Sequence, residues 1–252
     1  MTNPQPTSKN ITVSIVSHGQ QTLILPLLEQ LQQLCATEIE KVVLTVNTPE
    51  PDLITGRDWI IPIETVINSK PQGFGANHNA AFARCTTPWF LVLNPDVRLE
   101  ANVLTPLLVS AAASTGLATT RVREPGKAGP EPHRGLLTPL EILRRHKASY
   151  QPPTRPAWIP GLFMLFRSEA YRQIDGFDRR FFMYGEDFDI CARLQLEGWA
   201  IEVREDLQVL HEAQRASHRR WKHLYWHVSS LVKVWLSATF WRYRLVRHSP
   251  RR

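Results

Sequence analysis

The sequence is poor in cysteine and has no long apolar run, and both absences exclude something. Cys35, Cys85 and Cys191 are odd in number and far apart, which fits neither a disulfide framework nor a paired-cysteine zinc site. A reducing compartment, the cytoplasm, is expected. No window offers the roughly 20 apolar residues that a membrane-crossing helix needs, and the opening MTNPQPTSKN is polar and proline-bearing rather than basic then apolar. Neither secretion nor membrane spanning is signalled. The GxGxxG fingerprint and the Lys-Ser/Thr of a P-loop are missing too. Acid is missing from one stretch: from Ser217 onward there are nine Lys or Arg and no Asp or Glu, which leaves 21 basic against 23 acidic residues in the rest. The net charge of +7 therefore belongs to a tail. A slightly acidic body without a recognised binding motif argues against a nucleic-acid partner.

What is present reads as an α/β protein. Of the 252 residues, 43% are hydrophobic, enough for one large core. ITVSIVS (11–17) reads as a buried strand, and PLLEQLQQL (26–34) as an amphipathic helix with Pro26 in its first turn and Leu27, Leu28, Leu31 and Leu34 inward. KVVLTVN (41–47), IETVI (63–67) and WFLVLN (89–94) read as further strands, with a helix over GANHNAAFARC between the last two. Strand and helix in alternation predict a mostly parallel sheet flanked by helices, Rossmann-like in kind. WIPGLFMLF (158–166) is strand-like, and AIEVREDLQVLH reads as a short strand pair. The segment 121–160 reads as mobile loops rich in Pro, Gly and charge. The expected organisation is one domain over 1–216 and a basic amphipathic helical extension over 217–252.

Ligands of such sheets lie at the carboxyl ends of the strands, and chemistry-bearing residues collect there. Asp96 follows an apolar strand in NPD, as either a ligand for a hard divalent cation or a turn and capping residue. Gly73 and Gly75 open a helix, where they either admit a ligand to backbone N–H groups or simply make a turn. His211 ends the apolar strand LQVL, as a metal or phosphate ligand or as an ordinary surface histidine. Glu186 and Asp187 open a helix that closes at Gly198, behind Phe181, Phe182, Met183 and Tyr184. Acids in a first turn complement the helix dipole; a carboxylate beside an apolar wall is also how a general base is placed.

In order, SIVSHG, VLTVN, PQGFGANHNAAF, FLVLNPDVRLE, WIPGLFMLFRSEAY, GFDRRFFMYGEDFDICARLQLEGW and VLHEAQRASHR resemble a family-2 inverting glycosyltransferase of the GT-A fold, in its bacterial rhamnosyltransferase-like branch. The resemblance covers residues 11–220. It implies that Asp96 is the last acid of the DxD motif and binds Mg2+ or Mn2+ on the donor diphosphate, and that His211 helps hold metal or diphosphate, with Ser217 nearby. It implies Asp187 as the catalytic base, with Glu186 orienting it or touching the acceptor. Ser17, Asn47, Gly73, Gly75, Asn79 and Asn94 would line the donor pocket, and Trp158 and Tyr184 the acceptor side. Two positions depart from the family pattern. Val46-Asn47 replaces the usual Asp-Asn, and Asn94 stands where relatives carry the first acid, which implies weak metal dependence.

The implied activity is transfer of a sugar, rhamnose by branch, from a dTDP- or UDP-sugar to a glycan or lipid-linked acceptor. The setting is the cytoplasm at the inner membrane face, with peripheral contact through the basic tail. The alternative is a GT-A protein that binds glycan or nucleotide sugar without turnover.

Overall fold

The computed structural model describes residues 9–145, 147, 149–213 and 220–248. In chain order the elements are β1 Ile11–Ser17, α1 Gln21–Cys35, β2 Ile39–Val46, β3 Ile63–Ile67, α2 Phe74–Phe82, β4 Trp89–Leu93, β5 Val97–Arg98, α3 Leu104–Ser110 and β6 Thr115–Arg123. They continue with α4 Pro139–Arg144, β7 Phe163–Arg167, α5 Ser168–Gln173, α6 Glu186–Leu196, β8 Ala200–His211, α7 Arg220–Leu236 and α8 Ala238–His248.

The eight strands form one sheet in the order β3-β2-β1-β4-β7-β6-β8-β5. β1 to β4 run parallel, β7 enters antiparallel between β4 and β6, and β8 runs parallel to β6. The sheet is therefore mixed, with β7 and the short β5 reversed. Every residue of β1 and β4 is buried, as expected of strands covered on both faces. Alternation along β4 divides the core. Leu91 and Leu93 face the cluster built with Leu27, Leu31 and Leu104, whereas Phe90 and Val92 face Phe166, Tyr171, Phe177 and Phe188.

Several expectations shift. α1 starts five residues before Pro26, because Ile24 extends the stripe of Leu27, Leu28 and Leu31 and is fully buried. Burial of that extra side chain outweighs the one backbone hydrogen bond a proline forgoes. The strand pair expected in AIEVREDLQVLH is one twelve-residue strand, β8, whose register on β6 jumps between Thr120 and Arg121. A bulge absorbs the polar stretch that read as a turn. Residues 121–123, expected to be loop, complete β6. Of WIPGLFMLF only Phe163 onward is strand, and Trp158 makes an isolated bridge to Arg134.

The C-terminal segment makes two helices rather than one. The Ser237 hydroxyl accepts the Phe240 N–H at 3.1 Å and caps the start of α8. Val234, Phe240 and Tyr243 are buried with Phe188 and Cys191 of α6. On α7 Leu224, Tyr225 and Val228 are exposed while Ser230 and Val234 are buried. Among the described residues no helix is long and apolar enough to cross a membrane.

Phe240 is 2% exposed, so Phe240→Ala should destabilise the protein by about 3–5 kcal/mol, read from urea denaturation. An unchanged midpoint would mean that α8 is a detachable appendage.

Candidate active site

β4 stops at Asn94-Pro95-Asp96, and the chain turns at once into the two-residue β5, which pairs antiparallel with the end of β8 as Val97↔His211 and Arg98↔Leu210. This ladder brings together side chains 115 residues apart. Asp96 Oδ2 and His211 Nε2 lie 3.2 Å apart, and the Glu212 N–H donates to the Asp96 carbonyl at 2.8 Å. Asp96 is buried, and its Oδ1 has no protein partner. His211 Nδ1 faces Glu124 Oε1 at 3.9 Å, beyond hydrogen-bonding distance. Burial draws the His211 imidazole toward its neutral form. The Asp96 hydrogen bond and the Asp96, Glu124 and Glu131 charges outweigh it and hold the group above the usual histidine range.

Glu186 and Asp187 begin α6 after Gly185, whose φ of 82° lies in the left-handed region. Glu186 is 6% exposed and its Oε2 has no partner. Asp187 is less deeply buried, and its Oδ1 accepts the Phe188 N–H at 2.8 Å. Burial, then the Asp187 charge, pushes the Glu186 carboxyl up to about 8. Burial also raises Asp187, opposed by the Arg134 guanidinium and by backbone N–H groups at the helix start. Both carboxyls of the pair are thus held above the usual carboxylate range, and two adjacent buried carboxylates resist ionising together.

The two centres open on one cavity of about 440 Å³, lined among others by Asn94, Tyr184, Glu186, Asp187 and His211, with Glu124, Glu131 and Arg134 opposite. A larger cleft of about 860 Å³ lies by the start of β8, lined by Gln195, Trp199, Glu202 and Arg247. It contains neither the Asp96–His211 pair nor the Glu186–Asp187 pair.

Other expected residues sit behind this cavity. The Ser17 hydroxyl accepts the Gln20 N–H at 3.0 Å. Asn47 is 1% exposed: its Oδ1 accepts from Gln72 N and Asn68 Nδ2, and its Nδ2 donates to the Gln72 carbonyl. A Cβ on Gly73 would stand 2.7 Å from the Phe182 carbonyl oxygen, and one on Gly75 would stand 2.5 Å from Phe177 Cβ. Asn79 donates to the Phe177 carbonyl at 2.7 Å, and its Oδ1 accepts the Phe177 N–H at 2.9 Å and the Tyr171 hydroxyl at 2.6 Å. GFGANHN thus grips the segment Phe177–Phe182, which leads directly to the acid pair. Trp158 is 6% exposed, with its ring beneath Arg134 at 4.8 Å and its Nε1 donating to the Gly135 carbonyl. Tyr184 reaches the cavity, stacked on His227 at 3.5 Å. Ser217 lies outside the described residues.

Glu124, Glu131 and Arg134 escaped the sequence reading. Glu124 follows β6 as Asp96 follows β4, so the same strand-end rule applied to TGLATTRVREPG would have found it. Nothing local marks Arg134. Among the described residues no group of three His, Cys, Asp or Glu side chains is arranged to hold a metal ion.

Residues 145–249 match the family described as Glycosyl transferase family group 2. An N-acetylglucosaminyl-diphospho-decaprenol L-rhamnosyltransferase of Mycobacterium tuberculosis is 30% identical over 150 residues, 52% of this chain and 49% of that protein. The chain thus spans about half the length of that relative. The rhamnosyltransferase WbbL of Escherichia coli is 26% identical over 253 residues, 88% of this chain and 91% of that protein. In fold the chain is similar to the mannosyltransferase PcManGT of Pyrobaculum calidifontis, solved with GDP-Man and Mn2+. The TM-score is 0.61 at 16% identity, over 92% of this chain and 66% of that one. The family match over residues 145–249 and the rhamnosyltransferase relatives are similarities to family-2 glycosyltransferases, and over most of the chain the fold is the GT-A fold of solved glycosyltransferases.

Two measurements check this geometry. Asn79→Ala leaves the Phe177 N–H and Tyr171 hydroxyl without their partner and should cost roughly 1–3 kcal/mol, with faster amide exchange over 177–182. The Glu186 carboxyl stands at about 8 in the folded state, above an unfolded value of about 4.3. The stability it contributes is therefore complete below the unfolded value and is lost as pH rises through the folded one. Melting temperature should fall across that window, and Glu186→Gln should flatten the fall. An equal fall in the variant would assign the titration elsewhere.

Proposed function

We propose that the protein transfers a sugar, with inversion, from a nucleoside-diphosphate donor to an acceptor hydroxyl, with Asp187 as the general base. The observation that carries this reading is the shared cavity: His211, backed by Asp96, and the Glu186–Asp187 pair open on the same space. One centre suits a diphosphate and the other a hydroxyl proton.

The donor diphosphate lies at the Asp96–His211 end. An Asp and a His beside each other, with Asp96 Oδ1 unpartnered, suit Mg2+ or Mn2+ held by few protein atoms and completed by phosphate oxygens rather than by an all-protein cage. When bound, such a cation would supply charge neutralisation at the leaving diphosphate. Asn94 in place of a second acid keeps the expected metal dependence weak. The acceptor hydroxyl approaches the opposite face of the sugar. As its oxygen bonds to the anomeric carbon, its proton passes to an Asp187 oxygen, and the electron pair of the breaking bond stays on the diphosphate oxygen. Arg134 and the Phe188 N–H favour the ionised form of Asp187 against its burial, and a neutral Glu186 would avoid a second buried negative charge. With no cation bound, a protonated His211 would instead supply a positive charge where negative charge develops.

The rhamnosyltransferase relatives favour rhamnose carried on dTDP, with UDP-sugars as the other candidates, and a lipid-linked or glycan acceptor at the inner face of the membrane. Binding without turnover is the competing reading, because Asn47 spends its amide within the protein.

Asp187→Asn should lower transfer by roughly 10²–10⁴-fold with its melting temperature held, as followed by product formation. Full transfer by a folded Asp187→Asn protein would remove the base assignment. Absence of transfer by the wild type, with nucleotide binding intact, would favour the binding reading.

A further inference from the structure

α7 has two working faces. The inner one grips the loop that presents the acid pair. The Ser230 hydroxyl donates to the Met183 carbonyl at 2.9 Å, and Lys233 Nζ donates to the Arg180 carbonyl at 2.8 Å. Trp226 lies against Phe182 with centroids 5.2 Å apart, and His227 stacks on Tyr184 at an interplanar angle of 12°. A Cβ on Gly185 would stand 3.1 Å from Val234 Cγ2. The loop includes a non-glycine residue in left-handed backbone geometry, Tyr184 at φ 70°. Such a conformation is strained and persists only where its surroundings hold it.

The outer face is apolar and open to solvent. Leu224, Tyr225, Val228, Val232 and Leu236 are between 45% and 80% exposed. At 3.6 residues per turn they fall within an arc of roughly 120°, away from Ser230 and Val234. Trp241 of α8 adds a half-exposed indole. The two helices α7 and α8 carry no acid, and Lys233, Arg242, Arg244 and Arg247 are among their basic residues. Exposed aliphatic and aromatic side chains in a basic surrounding match an anionic lipid interface. A second copy of the same face would bring two cationic surfaces together, and a polynucleotide would leave the aliphatic stripe unburied.

We propose that the outer face of α7 docks on an anionic lipid surface, and that docking holds the Arg180–Gly185 loop in the geometry that presents Glu186 and Asp187. The catalytic half of this inference rests on the sugar-transfer reading, but the docking half does not. α7 draws its stability from packing rather than from isolated helix formation. Lipid binds the formed helix with its stripe displayed, and so favours the state in which the inner face grips the loop. A ligand shifts an equilibrium only by such differential affinity.

The test uses the full chain with vesicles of mixed phosphatidylglycerol and phosphatidylcholine, against phosphatidylcholine alone. Flotation, amide exchange over 180–185, and turnover with a short acceptor lacking a lipid chain are measured together. The expected result is flotation with the anionic vesicles only, slower exchange of the loop amides, and a turnover gain on the order of 5-fold, at the low end of couplings between linked sites. Val228→Glu combined with Val232→Glu should abolish flotation and both responses. Flotation with unchanged exchange and turnover would overturn the coupling. No flotation, or retention by duplex RNA instead, would overturn the docking. Slower exchange without turnover from any donor would leave the docking in place and count against the sugar-transfer reading.

Discussion

The structure depends on how the short segment before α6 is held. Phe177–Gly185 has no regular hydrogen-bonded ladder of its own, yet it must deliver two adjacent carboxyls into a cavity. Asn79 supplies both a donor and an acceptor to the Phe177 backbone, the Phe74 N–H donates to the Phe182 carbonyl at 2.9 Å, and α7 closes from the other side through Ser230 and Lys233. The glycines fit this constraint. Gly73 and Gly75 are bare because Phe182 and Phe177 occupy the space their side chains would need, and Gly185 takes a backbone conformation that costs other residues energy. Residues that read as donor ligands in the sequence thus have a structural reason of their own, and their effect on the site passes through the loop.

A second constraint is electrostatic. The cavity is lined by carboxylates from three segments, Glu124 after β6, Glu131 beyond it and the pair at α6, with Asp96 bonded to the lining His211; Lys127 pairs with Glu124 at 2.8 Å and Arg134 with Glu131 at 3.1 Å. Crowded carboxylates in a partly buried space need such partners. The structure answers differently at each end. At the β5–β8 ladder, His211 takes up positive character beside Asp96. At α6 burial raises both carboxyls, and Arg134 with the helix N–H groups opposes the rise at Asp187. This asymmetry separates a pole that suits phosphate from a pole that suits a hydroxyl proton, in one cavity.

Much of this was legible in the sequence. The apolar runs of β1, β2 and β4 announced themselves because strands buried on both faces need apolar residues almost throughout. The acid pair, Asp96 and His211 stood out because each lies at the end of an element, and the structure brings His211 and the acid pair onto one cavity. What stayed hidden has physical causes. β6 carries Thr119 and Thr120 in its middle, with the Thr119 hydroxyl satisfied by the Phe163 carbonyl at 2.7 Å, a partner 44 residues away. β8 read as two strands because its bulge tolerates Glu205 and Asp206. Arg134 reaches the cavity from a Pro- and Gly-rich loop with no period to mark it. The apolar residues of α7 were visible at helical spacing, but spacing alone does not say that the stripe faces outward.

In the proposed reaction the donor diphosphate and the transferable proton are handled in one cavity. A crystal structure of the protein with dTDP or UDP and Mn2+ tests it most directly. The account predicts the diphosphate beside Asp96 and His211, with the space between it and Asp187 left for a sugar. Nucleotide bound in the cleft by Trp199 and Arg247, or anywhere away from His211, would contradict it.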